Sequence, residues 1–150
     1  MKKVTLVGSL IFVITFIIGV VVALQHGGKE DIYVHTQLTL SDDLTRRASS
    51  HRVLYLVIYD EGSKMPMPYG AARFILQSSP SGNFINISLN HENLKVMGGP
   101  NQPKPKTMRI KARLDVDGQA GKDQPGDIVG EATQIAYGST NVAIKLNKVF

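Results

Sequence analysis

The sequence predicts an all-β fold, an antiparallel β-sandwich of about seven strands, carried behind a single N-terminal transmembrane helix. Three observations predict it. The chain opens with a long uncharged apolar run, Val4 to Leu24. Beyond Ile32 the apolar residues recur with a period of two, as half-buried strands require. Turn-forming residues punctuate the apolar stretches, with almost no amphipathic helix among them.

Val4 to Leu24 reads VTLVGSLIFVITFIIGVVVAL, about 21 residues that at about 1.5 Å each just span a hydrocarbon core of about 30 Å. Lys2 and Lys3 lie in the stub 1–3 before it, and the next lysine or arginine is Lys29. The positive-inside rule therefore puts the N-terminus in the cytoplasm and the rest of the chain outside. A cleaved signal peptide competes with this reading, because Val21-Val22-Ala23 offers small residues before Leu24. The apolar run exceeds the usual signal core of about 7 to 15 residues, which favours a retained anchor contacting the lipid bilayer. Thr15 and Gly19 form a small-xxx-small pair suited to seating another helix. Residues 25–31 (QHGGKED) read as a polar hinge loosened by Gly27 and Gly28.

The domain 32–150 follows. Ile32, Val34, Thr36, Leu38 and Leu40 share one face of a first strand, with Tyr33, His35, Gln37 and Thr39 on the other. Ser41 to Ser50 starts with a capping residue and two acids, so a short helical turn links it to the next strand. Val53 to Tyr59 (VLYLVIY) is the continuous β-branched and aromatic run of a central strand covered on both faces. Further strands are expected at Ala71 to Gln77, Phe84 to Leu89, Met108 to Val116, Ile128 to Tyr137 and Val142 to Val149. In the stretch from Met108, the residues Met108, Ile110, Ala112, Leu114 and Val116 alternate with the charged face Arg109, Lys111, Arg113 and Asp115. Between the strands lie Gly62-Ser63, Ser79 to Gly82, the proline-rich loop Gly98 to Pro105, Asp117-Gly118, Gln124 to Asp127 and Gly138-Ser139.

Composition excludes several functions. The 150 residues contain no cysteine, which rules out disulfides, Cys-ligated zinc and haem attachment through C-x-x-C-H. The net charge of +5 is spread along the chain rather than gathered in a stripe, so no nucleic-acid partner is expected. No catalytic constellation stands out: Asp42-Asp43 and Glu30-Asp31 are adjacent pairs beside turns, the pattern of solvated caps. No cofactor is expected. Met65, Met67, His91 and Met97 are candidate copper ligands, because thioethers and imidazole suit copper outside the cell. His35, His51 or Met97 are chemically able to ligate haem axially. The Gly98 to Pro105 loop and the turn at Gln124 to Asp127 are candidate contact surfaces.

Two blocks of the chain carry a family resemblance. The first is Leu54 to Phe74, LYLVIYDEGSKMPMPYGAARF; the second comprises Ala112 to Gly118 (ARLDVDG), Asp123 to Gly130 (DQPGDIVG) and Ile144 to Val149 (IKLNKV). In this order the chain resembles the C-terminal periplasmic domain of the cytochrome c biogenesis proteins CcmI and CycH, with Met67-Pro68 and Gln124-Pro125-Gly126-Asp127 at the family's motif turns. The resemblance implies a single-pass protein of a bacterial inner membrane, its domain in the periplasm or exoplasm. It also implies a non-catalytic role, through protein contact with a cytochrome-related membrane complex, in c-type cytochrome maturation. The larger family proteins add a second membrane span and a helical-repeat region associated with gripping the apocytochrome. No stretch of these 150 residues reads that way, so an accessory subunit of a membrane-bound respiratory complex is the second expectation, and a periplasmic copper-binding protein the third.

Overall fold

The structure, a computed structural model, describes residues 31–65 and 67–150. The expected transmembrane helix Val4 to Leu24, the stub before it and hinge residues 25–30 lie outside the described residues. Among the described residues no helix is long and apolar enough to cross a membrane. Strand makes up 51% of the described residues and helix 6%, so the domain is all-β as the sequence predicts.

The strands run β1 (Ile32–Leu40), β2 (Val53–Asp60), β3 (Gly70–Ile75), β4 (Asn83–Asn90), β5 (Lys95–Val96), β6 (Thr107–Asp115), β7 (Ile128–Ala136), β8 (Ser139–Leu146) and β9 (Lys148–Val149). They form a three-stranded sheet of order β4-β1-β8 and a six-stranded sheet of order β5-β3-β2-β6-β7-β9. Alternation decides which side chains meet between the sheets. Val34, Leu38 and Leu40 of β1, Ile87 and Leu89 of β4, and Ile144 and Leu146 of β8 share one core with Leu54, Leu56 and Ile58 of β2 and Met108, Ile110 and Leu114 of β6. Each such side chain contributes about 1.5–3 kcal/mol on burial. Thr36 joins the same face because its hydroxyl donates to the Ile87 carbonyl at 3.1 Å, which satisfies a buried polar group.

The structure departs from the sequence reading at several points. Nine strands appear among the described residues rather than about seven, because β5 is new and the closing stretch is divided at Asn147. The division has a cause: β8 pairs with β1 in the small sheet, whereas β9 pairs with β7 in the large one. The pairing of β1 with β8 is parallel, while every other ladder is antiparallel, so the expectation of a wholly antiparallel domain is corrected there. Val116 falls beyond the end of β6 and is 49% exposed instead of inward-facing. The helical turn is present, as a 3-10 turn Asp42–Leu44 continued by α1 (Thr45–Ala48), but the Ser41 side chain makes no capping hydrogen bond. Only the Ser41 carbonyl serves, accepting from the Leu44 amide at 3.0 Å.

Of four register shifts in the ladders, two coincide with a non-glycine residue at positive φ. The register of β6 on β7 shifts between Met108 and Ile110, opposite Gln134 at φ 55°, and that of β1 on β8 shifts between Val34 and Thr36, beside Asn141 at φ 60°. Each bulge accommodates one extra residue in the left-handed region. The Gln134 amide is fastened outside the ladder by donating to the Glu61 carboxylate at 2.9 Å.

The crossover of the closing strand depends on Gly130. A β-carbon there would lie 2.1 Å from the Lys145 carbonyl oxygen, so β7 and β8 approach too closely for any side chain. Directly after this approach the Asn147 amide donates to the Val129 carbonyl at 3.2 Å and the chain passes to the large sheet. Gly130→Ala is therefore expected to destabilise the domain by about 3 kcal/mol, the upper range of overpacking, measured as a lowered urea midpoint.

Candidate functional site

The outer face of the large sheet carries the residues that alternate with the core: Tyr55, Val57 and Tyr59 on β2, and Arg109, Lys111 and Arg113 on β6. Two guanidinium groups lie over aromatic rings, Arg109 at 4.0 Å from the Tyr59 centroid and Arg113 at 5.0 Å from that of Tyr55. Such contacts hold cations against a sheet that would otherwise present bare rings.

The connection between β6 and β7 folds back over this face. Its foundation is Asp127, whose wholly buried carboxylate accepts from the Val116 amide at 3.0 Å and the Gln124 amide at 2.8 Å. Gln124 to Asp127 form a tight turn closed by the Asp127 amide donating to the Gln124 carbonyl at 3.0 Å. Pro125 stands second and Gly126, with φ 101°, third, the residue types a type II turn demands. The C-terminus is sewn to the same turn: the Gly126 amide donates to the Phe150 carbonyl at 3.1 Å and the Phe150 amide to the Asp127 carbonyl at 2.9 Å. His51, buried beneath, lies 3.0 Å from the Gly126 carbonyl through Nε2, while its Nδ1 has no hydrogen-bond partner among the described residues.

Arg113 joins loop to sheet. Its guanidinium lies 2.9 Å from Asp115, 3.4 Å from Asp123 and 3.7 Å from Asp127, and donates to the Gly121 carbonyl at 2.8 Å. Lys111 pairs with Asp123 alongside. Tyr55 reaches over to donate its hydroxyl to the Gly118 carbonyl at 3.1 Å. The alternation expected Arg113 and Asp115 on an open charged face, yet both are buried, because the loop covers them. Burial, reinforced by a hydrogen bond with Asp117, holds the Asp115 carboxyl above its ordinary value of 3.8. Asp117 is held below that value, chiefly by the Gln119 amide.

Where the loop ends, the sheet face remains open as a groove of about 230 Å³. Tyr55, Val57 and Tyr59 form its floor, with Pro68 and Met97 on one side and Ala120 and Gly121 on the other. Of the motif-turn residues, Pro68 thus lines the groove, Met67 borders a neighbouring pocket, and Gln124 to Asp127 support the opposite bank. The proline-rich loop expected as a contact surface contributes Lys104, which pairs with Asp31.

The copper candidates separate. Met65, Met67 and Met97 line one shallow pocket, whereas His91 sits in the turn after β4 and is not among its lining residues. Among the described residues no group of three or more His, Asp or Glu has an arrangement suited to a metal ion. Of the haem-ligand candidates, His35 is bonded to the Ser88 hydroxyl at 2.6 Å through Nδ1, and His51 is buried in the turn described above. Asp42 and Asp43 are exposed at the 3-10 turn.

Sequence reasoning missed a second cluster. Asp31 accepts from Lys104 and from the Tyr137 hydroxyl, and these two donors hold its carboxyl below the ordinary 3.8. Behind it Tyr33 packs against Tyr137 and Tyr69, at ring separations of 5.4 and 5.9 Å. Burial pushes the Tyr69 and Tyr137 hydroxyls up. The only sequence signal was the set of tyrosines near strand ends, which no periodicity connects.

Comparison with protein-family models, curated proteins and solved structures finds no match.

Removing the Asp127 carboxylate strands two amide donors, so Asp127→Ala is expected to cost about 3 kcal/mol and to abolish amide-exchange protection across residues 116–127. The raised carboxyl gives a pH test. The fold binds the Asp115 proton more tightly than the unfolded chain, so its stabilisation is full below 3.8 and is lost as the pH rises through the folded value. Urea midpoints should show the native protein losing stability relative to Asp115→Asn across that rise; a constant difference would contradict the assignment.

Proposed function

We propose that the chain is a membrane-tethered, non-catalytic β-sandwich that works by protein contact on the outer side of a bacterial inner membrane, in the maturation of c-type cytochromes. Its contact surface is the groove on the outer face of the large sheet. One observation carries this reading: the two blocks that resemble the cytochrome c biogenesis domain, far apart in the chain, both contribute residues to the lining of a single groove. Leu54 to Phe74 provides the floor and Pro68, and the second block provides Arg113 and Asp123, with Ala120 and Gly121 between its pieces.

The groove has the make-up of a protein-binding surface. Tyrosine supplies contact area at low entropic cost, arginine stacked on it is already ordered, and methionine adapts to a partner's shape. The rigid loop and sheet on either side reduce the ordering that binding would otherwise require.

A strain deleted for this protein should lose holocytochrome c across several cytochromes, and the full chain should restore it. Val57→Glu, which places a charge on the groove floor, should weaken both restoration and co-purification with the partner about tenfold or more, the effect of losing one central contact. Gln37→Glu on the outer face of the small sheet serves as the control and should change neither. Stable stoichiometric recovery with a haem-bearing oxidoreductase in mild detergent, with cytochromes intact in the deletion strain, would instead make the protein an accessory subunit of that complex.

A further inference from the structure

Beside the groove lies a second feature with a chemistry of its own. Met65 and Met67, from the connection between β2 and β3, and Met97, directly after β5, line one shallow pocket of about 210 Å³. They are 68%, 65% and 50% exposed, whereas Met108 is wholly buried in the core. Three thioethers from two separate segments are thus gathered at the surface, where core packing has no use for them.

Oxygen atoms around the same pocket hold its loops in place. Asp60 accepts from the Gly62 amide at 2.9 Å, the Ser63 hydroxyl from the Met65 amide at 3.2 Å, and the Gln102 side-chain carbonyl from the Gly98 amide at 2.8 Å. The Tyr69 hydroxyl lies 3.4 Å from that of Tyr33. The two segments are also tied directly, by the Met97 amide donating to the Tyr69 carbonyl at 2.9 Å. A β-carbon at Gly98 would come 2.4 Å from the Gln102 side-chain oxygen, so a larger residue there would displace the Gln102 side chain from this bond. These bonds set both segments around the pocket, with the exposed thioethers of Met65, Met67 and Met97 along its lining.

We propose that Met65, Met67 and Met97 bind a soft monovalent d10 cation, Cu(I) or Ag(I), through their thioether sulfurs. Neutral, polarisable sulfur ligands favour such ions over Zn(II) or Cu(II), which seek nitrogen, oxygen or thiolate. The exclusion of His91 from the pocket sharpens this preference, because it removes the imidazole that would stabilise Cu(II). Thioethers carry no proton to displace, so binding should persist at acid pH, unlike binding at a histidine or thiolate site.

The test uses the full chain in detergent micelles with 13C-labelled methionine methyl groups, titrated with Ag(I) in chloride-free buffer. One equivalent should shift the methyl resonances of Met65, Met67 and Met97 together and then saturate, with Met108 unmoved, and the same titration at pH 5 should give the same result. Zn(II) should shift none of them. The triple variant Met65→Leu, Met67→Leu, Met97→Leu keeps apolar volume at each exposed position, so its circular dichroism should match the native protein while saturable Ag(I) binding is lost. Absence of shifts at stoichiometric Ag(I), unsaturable shifts that include Met108, or undiminished binding by the triple variant would each overturn the site. A purely apolar contact role for this rim would survive the leucine substitutions, so the outcome is independent of the cytochrome-maturation test.

Discussion

The carboxylate of Asp127 is the constraint from which the outer face of the domain is built. A wholly buried carboxylate must be satisfied, and here its acceptors are filled by the Val116 and Gln124 amides at the two ends of one loop. Closing that loop brings Asp123 and the Gly121 carbonyl onto Arg113, and Arg113 in turn rests on Tyr55. Burying this many charges offsets much of what their attraction provides, so the network contributes little net stability. Its effect is geometric: it fixes one bank of the groove at a set height above the sheet.

The two ends of the described chain are fastened by different means. Asp31, the first described residue, is held by Lys104 and Tyr137 against a tyrosine cluster. Phe150 is held by two backbone bonds to the Gly126 to Asp127 turn. The second attachment requires the closing strand to leave the small sheet, which the absence of a side chain at Gly130 permits. The parallel pairing of β1 with β8 is part of the same arrangement, since β8 must lie beside β1 before the chain crosses to β7. The turn Gln124 to Asp127 is therefore also where loop, sheet and C-terminus meet.

Groove and methionine pocket adjoin and share residues, Pro68 and Met97 lining both. Their chemistries nevertheless differ. The groove floor is aromatic, with cations stacked upon it, while the pocket is rimmed by thioethers. An ion held by the methionines would add a fixed positive charge at one end of the groove, and so alter which partners fit there.

Local pattern was enough for the longer strands, though not for β5 or the division of the last one. The alternation from Met108 to Leu114 and the unbroken run from Val53 name the core residues of β6 and β2, because a period of two places every second side chain against the other sheet whatever else the chain does. The turn at Gln124 to Asp127 was equally legible, since Pro and Gly supply dihedral angles that few other residues adopt. The same alternation placed Arg113 and Asp115 in solvent, and tertiary structure buried them. Which loop covers a sheet face depends on contacts between distant residues, such as Val116 with Asp127 and Tyr55 with Gly118, that carry no periodic signature. The convergence of Met97 with Met65 and Met67, the exclusion of His91 and the division of the last strand between two sheets were decided in the same way, by how far apart the folded chain sets segments that the sequence merely orders.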